Sequence, residues 1–233
     1  MFFLVYYTHT LKHNNLVRVW GDSLSNIKLM ERDYVILREI DKWRVITGKH
    51  ICSLCGFTGQ RACDRRLRKL IEAGFITRKK ILYGVPGLYF LTSSGRNLIQ
   101  SPEKSDTVRV EQIIHDIAIL DTAIYFHHKY GIDFSCIVTE KQLHKQDGFG
   151  VRCHRPDFVF TKGQKSYCVE IELNLKSSDR FLKNIISNFT DYDGQIWIVP
   201  DMHCKIASFL LKQKTNYPNI KVFELQEVKQ NAV

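Results

Sequence analysis

Asp157, Glu170 and Glu172 carry the pattern in this chain most suited to chemistry. They fall in the segment 154–176, where His-Arg-Pro-Asp-Phe-Val-Phe is followed by Cys-Val-Glu-Ile-Glu-Leu-Asn-Leu-Lys. In the second run Val169, Ile171 and Leu173 alternate with Glu170 and Glu172. A period of two places the aliphatic side chains on one face of a strand and both glutamates on the other. A turn at 161–165 folds the two runs into a hairpin and brings Asp157 beside the glutamates. Three carboxylates on one face repel one another. A divalent cation, a basic partner or open solvent would relieve that repulsion. The plainer alternative is a structural strand whose acids meet Arg155, Lys176 or Arg180 in an ion-pair network.

The elements that must hold this hairpin follow it and precede it. Apolar spacing at Val110, Ile113, Ile114, Ile117, Leu120 and Ile124 predicts a long helix over 107–129. Strands are expected at 135–139, 157–160 and 167–173. A helix at 178–189, capped by Ser177, packs Phe181, Leu182, Ile185, Ile186 and Phe189. A strand at 195–199, a helix at 202–214 and a strand at 221–225 close the series. The order αβββαβ with an extra αβ implies a mixed sheet flanked by helices. Polar residues 101–106, with Pro102, read as a linker.

Before the linker the pattern changes. Helices are expected at 31–46, 49–55 and 58–74, the last opening on Thr58 as N-cap and closing on Gly74. Strands at 75–81 and 88–92 flank a turn at 83–87, and a short helix follows at 93–98. Three helices and a hairpin make a winged helix-turn-helix over 31–100, and the sheet domain spans 107–228. Residues 1–30 are set apart as an N-terminal arm, with a candidate strand at 17–20.

On the third helix Cys63, Leu67, Leu70 and Ile71 fall on one side, and Arg61, Arg65, Arg68 and Lys69 nearly opposite. Such a helix packs and reads at once. Arginine offers bidentate contacts to guanine edges and charge-assisted bonds to phosphate. Arg78, Lys79 and Lys80 on the first hairpin strand suit phosphate. The expected DNA-binding set is therefore Thr58, Arg61, Arg65, Arg68, Lys69, Arg78, Lys79 and Lys80. A solvated basic face on a structural helix is the plain alternative. The 233-residue chain has a net charge of +10, which favours an anionic partner, nucleic acid or a membrane surface, and its local clustering favours double-stranded DNA.

Cys52, Cys55, Cys63 and His50 suggest zinc by spacing, but Cys63 lies on the apolar side of its helix, and core cysteines are the expected reading. Seven cysteines, an odd number, and no recognisable export signal predict free thiols and a cytoplasmic location, with no membrane partner.

Pro156-Asp157 and Glu170-Ile171-Glu172, in an αβββαβ order, resemble the PD-(D/E)xK nuclease superfamily. The resemblance implies Mg²⁺ held by Asp157 and Glu170, and a basic residue assisting water in phosphodiester hydrolysis. Glu172 stands where the lysine belongs, and the resemblance leaves Glu172, or Lys176 reaching back, to assist the water, so the catalytic set it implies is Asp157, Glu170, Glu172 and Lys176. Glu111 and His115, one turn apart, occupy a position from which some members supply another acid; both are expected to be surface residues. The whole order, with Arg-Pro-Asp-Phe-Val-Phe, Val-Glu-Ile-Glu and Ile-Trp-Ile-Val-Pro-Asp, resembles the replication-relaxation family of plasmids and integrative elements over residues 31–225. That resemblance implies an accessory protein of replication or mobilisation. It would bind a specific duplex site, as a homodimer if the site is two-fold, and recruit a relaxase, helicase or replication initiator. A Mg²⁺-dependent endonuclease and a transcriptional regulator are the alternatives.

Overall fold

A computed structural model describes residues 27–102, 108–147, 153–174 and 177–231. Most of the expected arm, most of the linker, and Lys176 lie outside the described residues.

The chain is mixed α/β: a helical N-terminal region, then a five-stranded mixed sheet flanked by helices. The first region comprises α1 (Glu31–Lys42), α2 (Gly48–Leu54) and α3 (Gln60–Glu72), the hairpin strands β1 (Ile76–Lys79) and β2 (Leu88–Leu91), and α4 (Ser93–Leu98). Helix α1 stops four residues earlier than its apolar run predicts. Trp43 turns extended, with φ −98° and ψ 132°, so that Ile46 can accept the Tyr89 N–H at 2.9 Å and Thr47 can bridge to Leu88. Edge pairing to the hairpin outweighs one more helical turn.

Helix α3 begins at Gln60 with Gly59 as N-cap, and the expected cap, Thr58, is exposed two residues before it. Its C-terminal end follows the sequence. Gly74 takes φ +75°, the left-handed geometry that glycine adopts without a Cβ clash, and the Phe75 N–H closes onto the Leu70 carbonyl at 3.0 Å. Cys63, Leu67 and Leu70 are buried against α1 and α2.

The second region holds α5 (Ile113–Tyr130), β3 (Ile137–Thr139), α6 (Glu140–Asp147), β4 (Phe158–Lys162), β5 (Lys165–Ile171), α7 (Ser178–Asp191), β6 (Gly194–Val199), α8 (Lys205–Gln213), β7 (Ile220–Glu224) and α9 (Leu225–Asn231). The sheet order is β3-β4-β5-β6-β7. Strands β3, β4 and β5 run antiparallel; β5, β6 and β7 run parallel. A two-residue turn with Gly163 at φ +63° joins β4 to β5. Alternation then sorts the sheet faces. Phe158, Val169, Ile171, Ile196 and Ile198 meet α5, whereas Trp197 and Val199 meet Phe181 and Ile185 of α7 and Ile206 and Leu210 of α8. Helices α6 and α9 have no counterpart in the sequence reading. Ser177 precedes α7 without a side-chain capping bond. Among the described residues no helix is long and apolar enough to cross a membrane.

Helix α5 starts after a 3-10 turn at Val110–Gln112, and Val110 and Ile114 are exposed. Its apolar surface is not the predicted stripe. Ile113, Ala118, Leu120, Ala123, Ile124, Tyr125 and Phe126 are all buried, because the sheet covers one side and the helical region another. One continuous core therefore runs from Ile36 and Leu37 of α1, through α5, to β4, β5 and β6.

A buried ion pair holds the helical region to its first turn. Asp33 accepts a bond from the Arg66 Nε at 2.6 Å and a second from the Arg66 Nη2, and it caps α1 by accepting the Met30 N–H at 2.7 Å. Removing one member of such a pair strands the other charge, at a typical cost of about 3–5 kcal/mol. Arg66→Ala should lower the unfolding free energy by that order in urea titration. Arg65→Ala, on the exposed face, should change it by about 0.5 kcal/mol or less.

Candidate functional site

The acidic end of the sheet forms where β4 and β5 are paired last, at Phe158↔Val169. Asp157 immediately precedes that pair and Glu170 immediately follows it. The Ile171 N–H donates to Asp157 Oδ2 at 2.7 Å. Glu170 and Glu172 are each only 4% exposed. The expected open acidic face is thus a covered one: α7 lies over Glu170, and the Glu172 N–H continues the β5–β6 pairing onto the Ile198 carbonyl at 2.9 Å.

Of the predicted counter-ions Lys176 lies outside the described residues, and Arg155 and Arg180 are not bound to these acids. Arg155 is bound to Asp147, and Arg180 is exposed with no carboxylate partner among the described residues. Glu170 Oε1 instead accepts bonds from His154 Nε2 at 2.7 Å and Asn188 Nδ2 at 2.9 Å. The pairing of His154 with Glu170 has a sequence signal, since both lie in the segment 154–176. Asn188 has none beyond its place on the α7 face that also carries Phe181 and Ile185.

His115 is the larger correction. It is half-buried, not a surface residue. Its Nε2 lies 2.9 Å from the Ile171 carbonyl and 3.6 Å from Asp157 Oδ2, and its Nδ1 lies 3.6 Å from Asp116 Oδ1. A carbonyl only accepts, so Nε2 carries a hydrogen. Glu111 is exposed in the preceding 3-10 turn, as expected. The acid that α5 brings to this end of the sheet is Asp116, one residue past His115.

Burial of the His115 ring opposes its charge, but Asp116 beside Nδ1, Asp157 and the Ile171 carbonyl outweigh burial and hold the ring above the usual imidazole range. Burial pushes the Asp157 carboxyl up. The His115 charge works against that rise, the Glu170 charge adds to it, the Ile171 N–H opposes it, and Glu140 adds to it. Both groups therefore hold their protons more firmly than in an unfolded chain.

The Mg²⁺ implied by resemblance meets a poor fit at Asp157 and Glu170. One oxygen of each is already engaged by N–H donors, and among the described residues no group of three or more His, Cys, Asp or Glu is arranged to hold a metal ion. The cysteines Cys55 and Cys63 are buried, and burial raises both thiols to about 12. His50 accepts the Thr47 N–H at Nδ1 and turns Nε2 to Asp121 of α5 at 3.0 Å, which joins the two regions.

The basic surface is the second site. Arg61, Arg65, Arg68 and Lys69 are exposed on α3, opposite its buried side. Arg78, Lys79 and Lys80 are exposed on and just after β1, each beside an aromatic ring: Tyr89, Phe90 and Tyr83 respectively. None of these seven cations has an acidic partner among the described residues. Arg66, the other arginine of α3, is turned inward to Asp33.

No protein-family model matches this chain, and no curated protein matches it.

The His115 geometry carries a pH dependence. A group whose folded pKa is raised contributes stability that is fully present below its unfolded value, about 6.5 for imidazole, and is lost as pH rises through the folded value. His115→Gln should therefore destabilise the protein more at about pH 6 than at about pH 10, in paired urea titrations. The ring's ¹⁵N signals in the wild type should still report imidazolium at about pH 7. A midpoint at or below about 6.5 would contradict the assignment.

Proposed function

We propose that the chain is a duplex-DNA-binding accessory protein. Its first region acts as a winged helix-turn-helix, with α3 as reader and the β1–β2 hairpin as wing. The observation that carries this reading is the unpaired state of Arg61, Arg65, Arg68, Lys69, Arg78, Lys79 and Lys80 on adjoining exposed surfaces. Unneutralised cations on a folded surface attract a polyanion, and arginines on one helix face suit a groove. The second region, in which α6 interrupts the expected αβββαβ order between β3 and β4, serves as scaffold. The resemblance to the replication-relaxation family supports a role in replication or mobilisation of a mobile element. In that role the protein recruits a relaxase, helicase or replication initiator, as a homodimer where the site is two-fold. A regulator of transcription would use the same surface. A Mg²⁺-dependent endonuclease is the second reading, and it rests on Asp157 and Glu170 lying at the same end of the β4–β5 pair.

Fluorescence anisotropy with duplex fragments from the origin region of the carrying element tests the first reading. Arg61→Ala or Arg65→Ala should cost about 1–3 kcal/mol at the preferred site and relax base preference there. Lys79→Ala should weaken binding uniformly and reduce the salt slope by about one. Equal affinity in a variant with all seven cations neutralised would overturn it. Nicking of supercoiled DNA tests the second reading: equal activity in wild type and Asp157→Ala would exclude it.

A further inference from the structure

Arg78 and Lys79 are neighbours on β1, so their side chains leave opposite faces of the hairpin. The register pairs Arg78 with Tyr89 and Lys79 with Leu88. Leu88 is buried with Val45 and Ile113. The Tyr89 ring turns instead to the start of α2. A Cβ placed on Gly48 would lie 3.4 Å from Tyr89 Cε2, 3.6 Å from the Tyr89 hydroxyl and 3.4 Å from Gln60 Nε2. Gln60 is the first residue of α3. Arg78 therefore shares its face of the hairpin with the start of the reader helix, and Lys79 does not.

Arg78 does not project freely from that face. A Cβ placed on Gly87 would lie 2.5 Å from Arg78 Nε and 3.1 Å from both its Cγ and its Cζ. The arginine stem thus lies across Gly87, which is buried beneath it. Gly87 does not take a left-handed φ, so its backbone makes no demand for glycine. The demand comes from the arginine alone. The guanidinium carbon lies 5.9 Å from the centre of the Tyr89 ring, within cation–π reach.

An acid stands at the same end of α3. Asp64 accepts the Gln60 Nε2 bond at 2.7 Å. Burial pushes the Tyr89 phenol up, the Arg78 charge opposes that rise and the Asp64 charge adds to it, so both charges reach one hydroxyl. A carboxylate so placed repels a phosphate but not an uncharged base edge. A held guanidinium matches guanine O6 and N7 with two parallel bonds.

We propose that Gly87 is the positioning residue for Arg78: by offering no Cβ it lets the guanidinium lie along β2 beside Tyr89, where Arg78 reads a guanine edge at the start of α3. Lys79 and Lys80 remain phosphate cations. The inference rests on the DNA-binding reading and, within it, moves Arg78 from the wing to the reading surface.

Site selection by the wild type from a randomised duplex pool, then fluorescence anisotropy on the selected duplex and on a scrambled one, tests this. Gly87→Ala should lose roughly tenfold in affinity for the selected duplex, as Arg78→Ala does. Its affinity for the scrambled duplex should stay within about twofold of wild type, because no charge is removed. The double variant should bind like Arg78→Ala alone, since the two positions act as one. Arg78→Lys keeps the charge without the fork and should lose the same preference, which carries the comparison if Gly87→Ala does not fold. In the free protein, the Arg78 Nε–H resonance should shift in Gly87→Ala. An unchanged resonance, a preference retained by either charge-preserving variant, or a wild type that selects no motif would overturn the inference while leaving DNA binding intact. A wild type that binds no tighter than the variant with all seven cations neutralised would sink the DNA-binding reading, and this inference with it.

Discussion

Burial of α5 on almost every side is the constraint from which the rest of the structure follows. A helix carrying Ile113, Ala118, Leu120, Ile124, Tyr125 and Phe126 cannot satisfy its surface with one partner. The sheet takes Phe126, which packs on Phe160 and Phe223. The helical region takes the other side, where His50 of α2 reaches Asp121. Polar groups on α5 are then forced into the seams, and His115 and Asp116 sit where the acidic end of the sheet and the end of α1 converge. The acidic centre is thus a consequence of packing as much as of the β4–β5 hairpin.

Much of this was legible from the chain, and the failures share a cause. Period-two alternation located β5, short apolar runs located β4 and β6, and the alternation put Glu170 on the face opposite Val169 and Ile171. The two faces of α3 emerged from helical spacing alone. What alternation cannot tell is what covers each face. The glutamate face was read as open, cation-bound or met by a basic partner; His154 is such a partner for Glu170, but α7 also covers the face and supplies Asn188, a residue more than a dozen positions away with no motif of its own. His115 was read as a surface residue because one turn of helix looks the same whether its neighbour is solvent or the end of a strand. Asp116 went unremarked beside it. Both errors concern tertiary neighbours, which local pattern does not encode. The early end of α1 is similar, since Trp43 to Thr47 give up helix for pairing with the hairpin.

The hairpin is tied to the second region as well. Leu88 lies in a small apolar cluster with Val45 of the α1–α2 connection and Ile113 at the start of α5, and Leu82, Val85 and Phe90 pack around it. The basic strand therefore projects from a base fixed at both ends. Its cations stand on a backbone held by packing rather than on a free ribbon.

The inward turn of Arg66 separates two properties that a basic helix usually mixes. The four outward cations of α3, Arg61, Arg65, Arg68 and Lys69, could change without stranding a buried charge, but position 66 is bound to the identity of Asp33, 33 residues earlier. The two must change together or not at all, because either alone leaves a buried charge. Among related chains, the pair at 33 and 66 would mark descent of the fold, while the outward arginines of α3 would be free to diverge without cost to the core.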